Sequence, residues 1–451
     1  MRTRLQDFRA TLRNVLRGTL AMAMATLSLA AAAASETVDV TTEDNVKWTY
    51  TIKSDGSLYL TKVENAKGSI TIPAKVKIDG KDHDVAGVEA MVTKVEGGVF
   101  ASNCDITEVT IEDGITQIGA SAFYNCKKLK SVSIPASVKT ISSNAFNLCE
   151  SLRAISLPEG VESIGESAFS QCNKLETVNL PASLKTIGSN AFSQDKVLKT
   201  VNIAEPSALT EIGDMAFEQC AKLESFRVPG SVKVIRQGAF KLCASLASLT
   251  IEDGVGDIEQ EAFLQCNALT EVNIPGSVRC VGDRAFQFCY NIANLTIGDG
   301  VEEIGSDAFG QASISKLVVP GSVKKIGERA FENCHELCDI TLGDGVEEVG
   351  AGAFTESKQP VSVKCEGTQV APKIGDGAFN GYGEVSVSVP DGYEHLYSED
   401  KGWKGNLKVE KKASAMGHVT VGGGAKTLYD LQGRKVGNGA PRRGFYIAVE
   451  R

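Results

Sequence analysis

The sequence predicts a repeat solenoid, with short parallel strands on one face, short helical turns on the other and a β-rich cap over its N-terminal end. Three observations predict it. Phenylalanine recurs with a fixed period: Phe100, Phe123, Phe146, Phe169, Phe192, Phe217, Phe240, Phe263, Phe286, Phe309, Phe331, Phe354 and Phe379 lie 22, 23 or 25 residues apart and make up 13 of the 17 phenylalanines. After each one, apolar residues alternate with polar ones at a constant distance. A turn signal then closes each alternation. Self-similarity at such a period marks units that bury their apolar edges only against neighbouring copies.

Taken from the N-terminus, residues 1–34 read as a secretory signal peptide. A basic stretch (Arg2, Arg4, Arg9, Arg13, Arg17) precedes the uncharged segment Gly18 to Ala34, and small residues around Ala32–Ser35 offer a cleavage site. No later segment is long and apolar enough to span a membrane. Residues 35–98 do not follow the period. Trp48-Thr49-Tyr50, Ser57–Leu60 and Ile70-Thr71-Ile72-Pro73 suggest strands of a cap, which an open solenoid end requires.

Residues 99–409 hold the solenoid, about twelve repeats, with its C-terminal cap. From Phe146, Cys149 follows at +3, Leu152 at +6, Ile155 at +9, Leu157 at +11, Val161 at +15 and Ile164-Gly165 at +18 and +19, before Ala168-Phe169 restarts the cycle. The spacing at +6, +9 and +11 is the leucine-rich L-x-x-L-x-L. Positions +9 and +11 alternate with polar residues and so form the inward side of a short strand. The next residue is a proline, as in Pro135, Pro158, Pro181, Pro229, Pro275 and Pro320, or opens a turn such as Glu112-Asp113-Gly114 or Gly298-Asp299-Gly300. Proline has no N–H to extend a ladder and Asp-Gly favours turns. The Ala-Phe-x-x-Cys-x-x-Leu stretch has helix-like i, i+3 spacing and predicts one or two helical turns. Beyond Phe379 the pattern fades; Tyr397 and Trp403 supply bulk for a cap, 410–424 reads as a linker, and 425–451 as two short strands around a turn.

Nine of the twelve cysteines recur beside the predicted helical turn: Cys104, Cys126, Cys149, Cys172, Cys220, Cys243, Cys266, Cys289 and Cys334. No disulfide is expected among them, because equivalent positions in stacked repeats have parallel Cβ vectors. Asp195, Ala312 and Ser357 fill the same slot elsewhere. Cys365 takes an inward strand position, whereas Cys280 and Cys338 fall at outward ones and are the candidates for reactivity or pairing. Cys334-His335-Glu336-Leu337-Cys338 resembles half of a metal site without a second half, so no metal is assigned. The formal charge is -9; the leader carries a net +4, which leaves -9 - 4 = -13 for the remainder. Such an acidic body argues against nucleic acid and anionic membranes as partners. Nucleophile-elbow, zincin, P-loop and dinucleotide motifs are absent, and the four histidines are scattered, so neither an enzyme nor a cofactor is expected.

The outward strand positions, +8 and +10, offer the candidate ligand-binding face as one wide sheet. They include Thr177, Asn179, Thr200, Asn202, Ser225, Arg227, Ser248, Thr250, Glu271, Asn273, Asn294 and Thr296. These side chains are small and polar with no aromatic anchor. Binding there would be weak per contact and extended; the alternative is that Ser and Thr merely keep a sheet soluble.

The repeat resembles the BspA-like, or Treponema pallidum-type, leucine-rich family: its Ile-Gly-x-x-Ala-Phe-x-x-Cys-x-x-Leu followed by Val-x-Ile-Pro is met closely by Ile164–Pro181, and the match runs from Phe100 to Phe379. The Trp403 segment resembles the family's ending. The resemblance implies a cell-surface or secreted, adhesin-like protein that engages protein or glycan on host matrix, host cells or other bacteria. The C-terminal Tyr429-Asp430-Leu431-Gln432-Gly433-Arg434 resembles a type IX secretion sorting domain, but the chain stops at Arg451, short of that family's basic last strand. Periplasmic residence is therefore the alternative. Two rival functions remain: an envelope spacer without a ligand, and a scaffold for a remote enzyme partner.

Overall fold

The computed structural model describes residues 36–43, 45–89, 97–356, 361–367, 371–381, 385–393, 396, 397, 403, 407–410, 427–430 and 446–449. The expected leader, and the linker beyond Glu410, lie outside the described residues. The chain divides into two units, Met1–Glu410 and Lys411–Arg451. In the second, Thr427–Asp430 pairs antiparallel with Tyr446–Val449.

The first unit is a β-solenoid of about 14 turns. The strands predicted at +8 to +11 form, as in Thr177–Leu180 beside Thr200–Ile203, with parallel register and Val178 opposite Val201. A second ladder was not foreseen. Two-residue strands centred on the Ile-Gly position, such as Ser163–Ile164 and Thr186–Ile187, pair coil to coil in a parallel ladder that runs from Gly87–Val88 to Lys373–Ile374. The glycine after the isoleucine lets the coils close to this distance. At Gly305, a Cβ would stand 2.6 Å from Asp283 N and from Gly282 C in the preceding coil. Gly305→Ala is therefore expected to destabilise the chain by about 1–3 kcal/mol, read as a drop in urea midpoint. Ser142, Arg236 and Glu259 hold the same place in three coils, so the strain is one that shifted backbone relieves in part.

The expected helical turns are corrected. Between Phe100 and Phe379 no described residue is helical. The stretch around each phenylalanine is a run of β-turns with i→i−3 bonds, such as Tyr124 N–H to Ser121 O at 3.0 Å and Cys126 N–H to Phe123 O at 3.2 Å. Residues two before and two after the phenylalanine take a left-handed φ, for example Ser121 at 54° and Asn125 at 59°. That twist turns alternate N–H groups outward along the axis. Ser121, Phe123 and Asn125 donate to Ser143 O, Ala145 O and Asn147 O of the next coil at 2.9, 2.7 and 2.7 Å. A helix would have consumed these donors internally, leaving the facing carbonyls of the next coil unpaired in the interior. The stack thus has a third hydrogen-bonded side.

The phenylalanines form one column. Rings from Phe100 to Phe379 stack with centroids 4.9–5.5 Å apart, and those from Phe100 to Phe354 are fully buried. This matches the spacing of neighbouring strands. The two tryptophans close the column: Trp48 meets Phe100 edge-on at 6.2 Å, and Trp403 meets Phe379 at 6.4 Å. Trp403 Nε1 donates to Pro372 O at 2.9 Å, and Tyr397 hydroxyl donates to Gly367 O at 2.9 Å, so both polar tips are satisfied.

The cap region contributes more than a lid. Glu36–Thr41, Lys47–Ile52 and Leu58–Glu64 form an antiparallel sheet. Gly68–Ile72 then joins the strand face in parallel with Ile106–Ile111, and Gly87–Val88 joins the two-residue ladder beside Gln117–Ile118. Val385–Ser388 and Leu407–Glu410 extend the strand face at the other end. The coils of Gly68–Ile72 and Leu407–Glu410 escape the phenylalanine count because they carry no phenylalanine of the column, whereas Val385–Ser388 belongs to the Phe379 coil, and so the turns outnumber the roughly twelve expected.

Candidate ligand-binding face

All twelve candidate residues lie on the outward side of the strand face, exposed or half-buried. Each has an apolar neighbour turned inward, such as Val178 or Phe226, so strand alternation alone sets their direction. The register joins them as six cross-strand pairs: Thr177 with Thr200, Asn179 with Asn202, Ser225 with Ser248, Arg227 with Thr250, Glu271 with Asn294, and Asn273 with Thr296.

The single wide sheet expected for them is corrected. The pairs fall in three separate sheets, with ladder breaks between Thr200–Ile203 and Ser225–Val228 and between Ser248–Ile251 and Glu271–Ile274. A two-coil alternation accompanies the breaks. Turns of the type Pro-x-Ser (135–137, 181–183, 229–231, 275–277, 320–322) alternate with turns ending in glycine (112–114, 158–160, 252–254, 298–300, 343–345). The serine hydroxyl accepts the glycine N–H of the preceding coil, as in Gly160 to Ser183 at 2.9 Å and Gly254 to Ser277 at 2.8 Å. From Ser225 onward, strands pair within a Pro-Gly-Ser coil and the glycine-ended coil that follows it, and the next two breaks fall after that second coil. The alternation was readable in the sequence and its effect on the face was not.

The face presents hydrogen-bonding groups already in order. Asn202 Nδ2 donates to Asn179 Oδ1 at 2.7 Å, and Asn179 Nδ2 donates to Ser156 Oγ at 2.8 Å. This amide row holds its side chains in one rotamer before any ligand arrives, which lowers the entropy lost on binding. Arg227, the one arginine of the set, is held between Glu205 and Glu252. Glu252 also accepts Gly230 N–H at 3.0 Å; that bond, with the Arg227 guanidinium, holds its carboxyl below the usual carboxylate range. Arg227 is thus engaged by carboxylates of the two neighbouring coils.

The cysteines separate as their slots dictate, with one correction. Cys126, Cys149, Cys172, Cys220, Cys243, Cys266, Cys289 and Cys334 are buried, and Cys365 is buried as expected, but Cys104 is exposed. In the buried cysteines beside the turn the thiol donates to the phenylalanine carbonyl of the preceding coil, as Cys126 Sγ to Phe100 O at 3.1 Å. Cys104 belongs to the first coil of the column, where no preceding phenylalanine covers it. Burial pushes the Cys126, Cys289 and Cys334 thiols up to about 12, which makes them poor nucleophiles. Cys338 is exposed and Cys280 half-buried, at outward positions. Asp195 fills a cysteine slot fully buried, and desolvation raises its carboxyl well above the usual carboxylate range.

Among solved structures, a leucine-rich repeat protein from Bacteroides ovatus is similar at 26% identity, over 81% of this chain and 98% of that one, with a TM-score of 0.56. A leucine-rich cell surface protein from Faecalibacterium prausnitzii matches at 23% identity, over 80% and 97% of the two chains, with a TM-score of 0.43. The Treponema pallidum leucine-rich repeat protein matches at 26% identity, over 49% and 87%, with a TM-score of 0.35. No curated protein matches the sequence. The family model for the BspA-type leucine-rich repeat region, in six copies, matches residues 93–207, 199–314 and 302–399. With that coverage, and with the stacked coils seen directly, the chain belongs to the BspA-type leucine-rich repeat family.

Proposed function

We propose that this chain is an exported, surface-displayed or secreted binding protein, adhesin-like in action, that engages protein or glycan on host or bacterial surfaces through the outward strand face. The observation that carries the reading is the row of register-matched Thr, Asn and Ser pairs between Thr177 and Thr296, held on a rigid frame with its apolar side chains turned inward. Such a face offers hydroxyls and amides over several coils, so affinity comes from many modest contacts and from many copies on one cell. No reaction and no cofactor is part of the proposal. The basic leader and the C-terminal strand pair are the proposed means of export and display.

The test replaces Thr177, Asn179, Thr200 and Asn202 together with lysine. Attachment of cells bearing the protein to epithelial monolayers and matrix-coated surfaces should fall by about tenfold or more, the equivalent of losing roughly 1.4 kcal/mol of binding. The fold should be retained by circular dichroism because all four positions face outward, with a modest fall in melting temperature from lysines set opposite one another and from loss of the Asn202–Asn179 bond. Unchanged attachment would favour the spacer role. Protease shaving of intact cells should release solenoid peptides, and a protein protected from shaving is no adhesin.

A further inference from the structure

One coil breaks the repeat on the turn side. In the other coils from Phe123 to Phe331, two residues separate the cysteine slot from the following leucine-type position, as in Cys289-Tyr290-Asn291-Ile292 and Cys334-His335-Glu336-Leu337. In the coil that starts at Phe309 only Ser313 lies between Ala312 and Ile314, and the coil is 22 residues long. The turn that projects from neighbouring coils is missing there. The result is a notch one coil wide, about 370 Å³ in volume, with Ala312 and Ser313 as its floor. Ser313 Oγ donates to Tyr290 O at 2.6 Å, which ties the floor to one wall.

The walls are chemically unlike. On one side stands Tyr290, 45% exposed and one of two exposed aromatics among the described residues. On the other stand Asn333, His335 and Glu336, with Gln311 beside the floor. His335 Nδ1 lies 2.9 Å from Glu356 O. A carbonyl only accepts, so Nδ1 is the donor in this bond and Nε2 is the ring's remaining polar atom. Among the described residues, the side-chain amides of Gln311 and Asn333 and the Glu336 carboxylate have no protein hydrogen bond.

We propose that this notch is a binding site for a single pyranose unit of a glycan. The apolar C–H face of the sugar would lie on the Tyr290 ring, and its hydroxyls would meet the amides of Gln311 and Asn333, the Glu336 carboxylate and His335 Nε2. An aromatic wall opposed by a few convergent polar groups in a concave site is the arrangement that fixes such an amphiphilic ring. A peptide would need a longer groove than a one-coil gap, and a hydrophobic ligand would leave the polar wall unpaired. The notch is lined by none of the twelve strand-face residues and stands or falls independently of the function proposed for them.

The test is calorimetric titration of the whole protein with lactose, maltotriose, chitotriose and α-mannobiose. Saturable binding of at least one, with one site per chain, is expected. Tyr290→Ala should weaken it about tenfold, and Tyr290→Phe should keep it. Inserting one Asn after Ala312 should restore the projecting turn and abolish binding with the fold intact by circular dichroism. The strand-face lysine variant should bind the sugar as wild type does. Absence of saturable binding to all four sugars would overturn the proposal, as would binding indifferent to both Tyr290→Ala and the insertion.

Discussion

Replacing Phe263 with alanine should destabilise the chain by about 3–5 kcal/mol and split its thermal unfolding into two transitions. Phe263 is fully buried, with the rings of Phe240 at 5.1 Å and Phe286 at 4.9 Å. The planes are nearly parallel, at 2° and 9°. No side chain from elsewhere can fill the gap, because the neighbouring coils are tied at fixed distance by backbone bonds. Phe263 N–H donates to Ala285 O, and Phe240 N–H to Ala262 O, both at 2.7 Å. The cavity therefore stays open and the full cavity penalty applies. A solenoid couples only adjacent coils, so weakening one contact separates the stability of the two flanking halves. Calorimetry and hydrogen exchange would read this directly. A single transition at the wild-type temperature would show that the column does not carry the stack.

Asp195→Cys should do the opposite and stabilise the protein by about 3 kcal/mol at pH 7, the scale of a buried polar group left unpaired or charged. Asp195 sits among cysteine slots, completely buried, and its Oδ2 has no partner. Its Oδ1 accepts Cys172 N–H at 2.7 Å, a donor that in the Cys149 and Cys220 coils serves the phenylalanine three residues before, at 3.2 Å. Cysteine would return that donor to Phe169 and supply a thiol for the Phe169 carbonyl, as Cys172 does for Phe146 at 3.3 Å. The pH dependence identifies the cause. Desolvation raises the folded-state pKa of Asp195 above its unfolded value of 3.8. The native state then holds its proton where the unfolded chain has lost it. The wild type keeps the stability from this group below about pH 4 and loses it as pH rises toward the folded-state value. The gain from Asp195→Cys should therefore be large at pH 7 and shrink toward pH 3.5 in urea melts. A gain that does not change with pH would point to packing rather than charge.

Much of this architecture is legible because the repeat makes each buried position announce itself many times. Phe123 alone says little, whereas thirteen phenylalanines in step say that one side chain stacks on its copy. The cysteine slots and the inward Val178 and Leu180 follow in the same way. The turn conformation around each phenylalanine is not legible, since i, i+3 spacing fits both a helix and consecutive β-turns. The residues that decide it, at the left-handed positions, include Asn125 and Ser121 but also Leu148, Phe288 and Arg329, which do not advertise positive φ. The strand face is legible in direction and not in continuity, because the breaks track an alternation of turns whose consequence lies in coil-to-coil spacing. The notch at Ala312 is visible as a missing residue, and the absence gains meaning only when the walls on either side are seen.

The column of rings closed by one tryptophan at each end has an evolutionary corollary. Turn-side donors on one coil meet acceptors on the next while the turns alternate with a two-coil period, so recombination within the gene can add or delete a pair of coils and keep the junctions in step. The terminal indoles are different, for each fits only where the series stops. Length, and hence reach, is a freely adjustable trait in such a molecule, while its two ends are fixed parts that each copy must retain once.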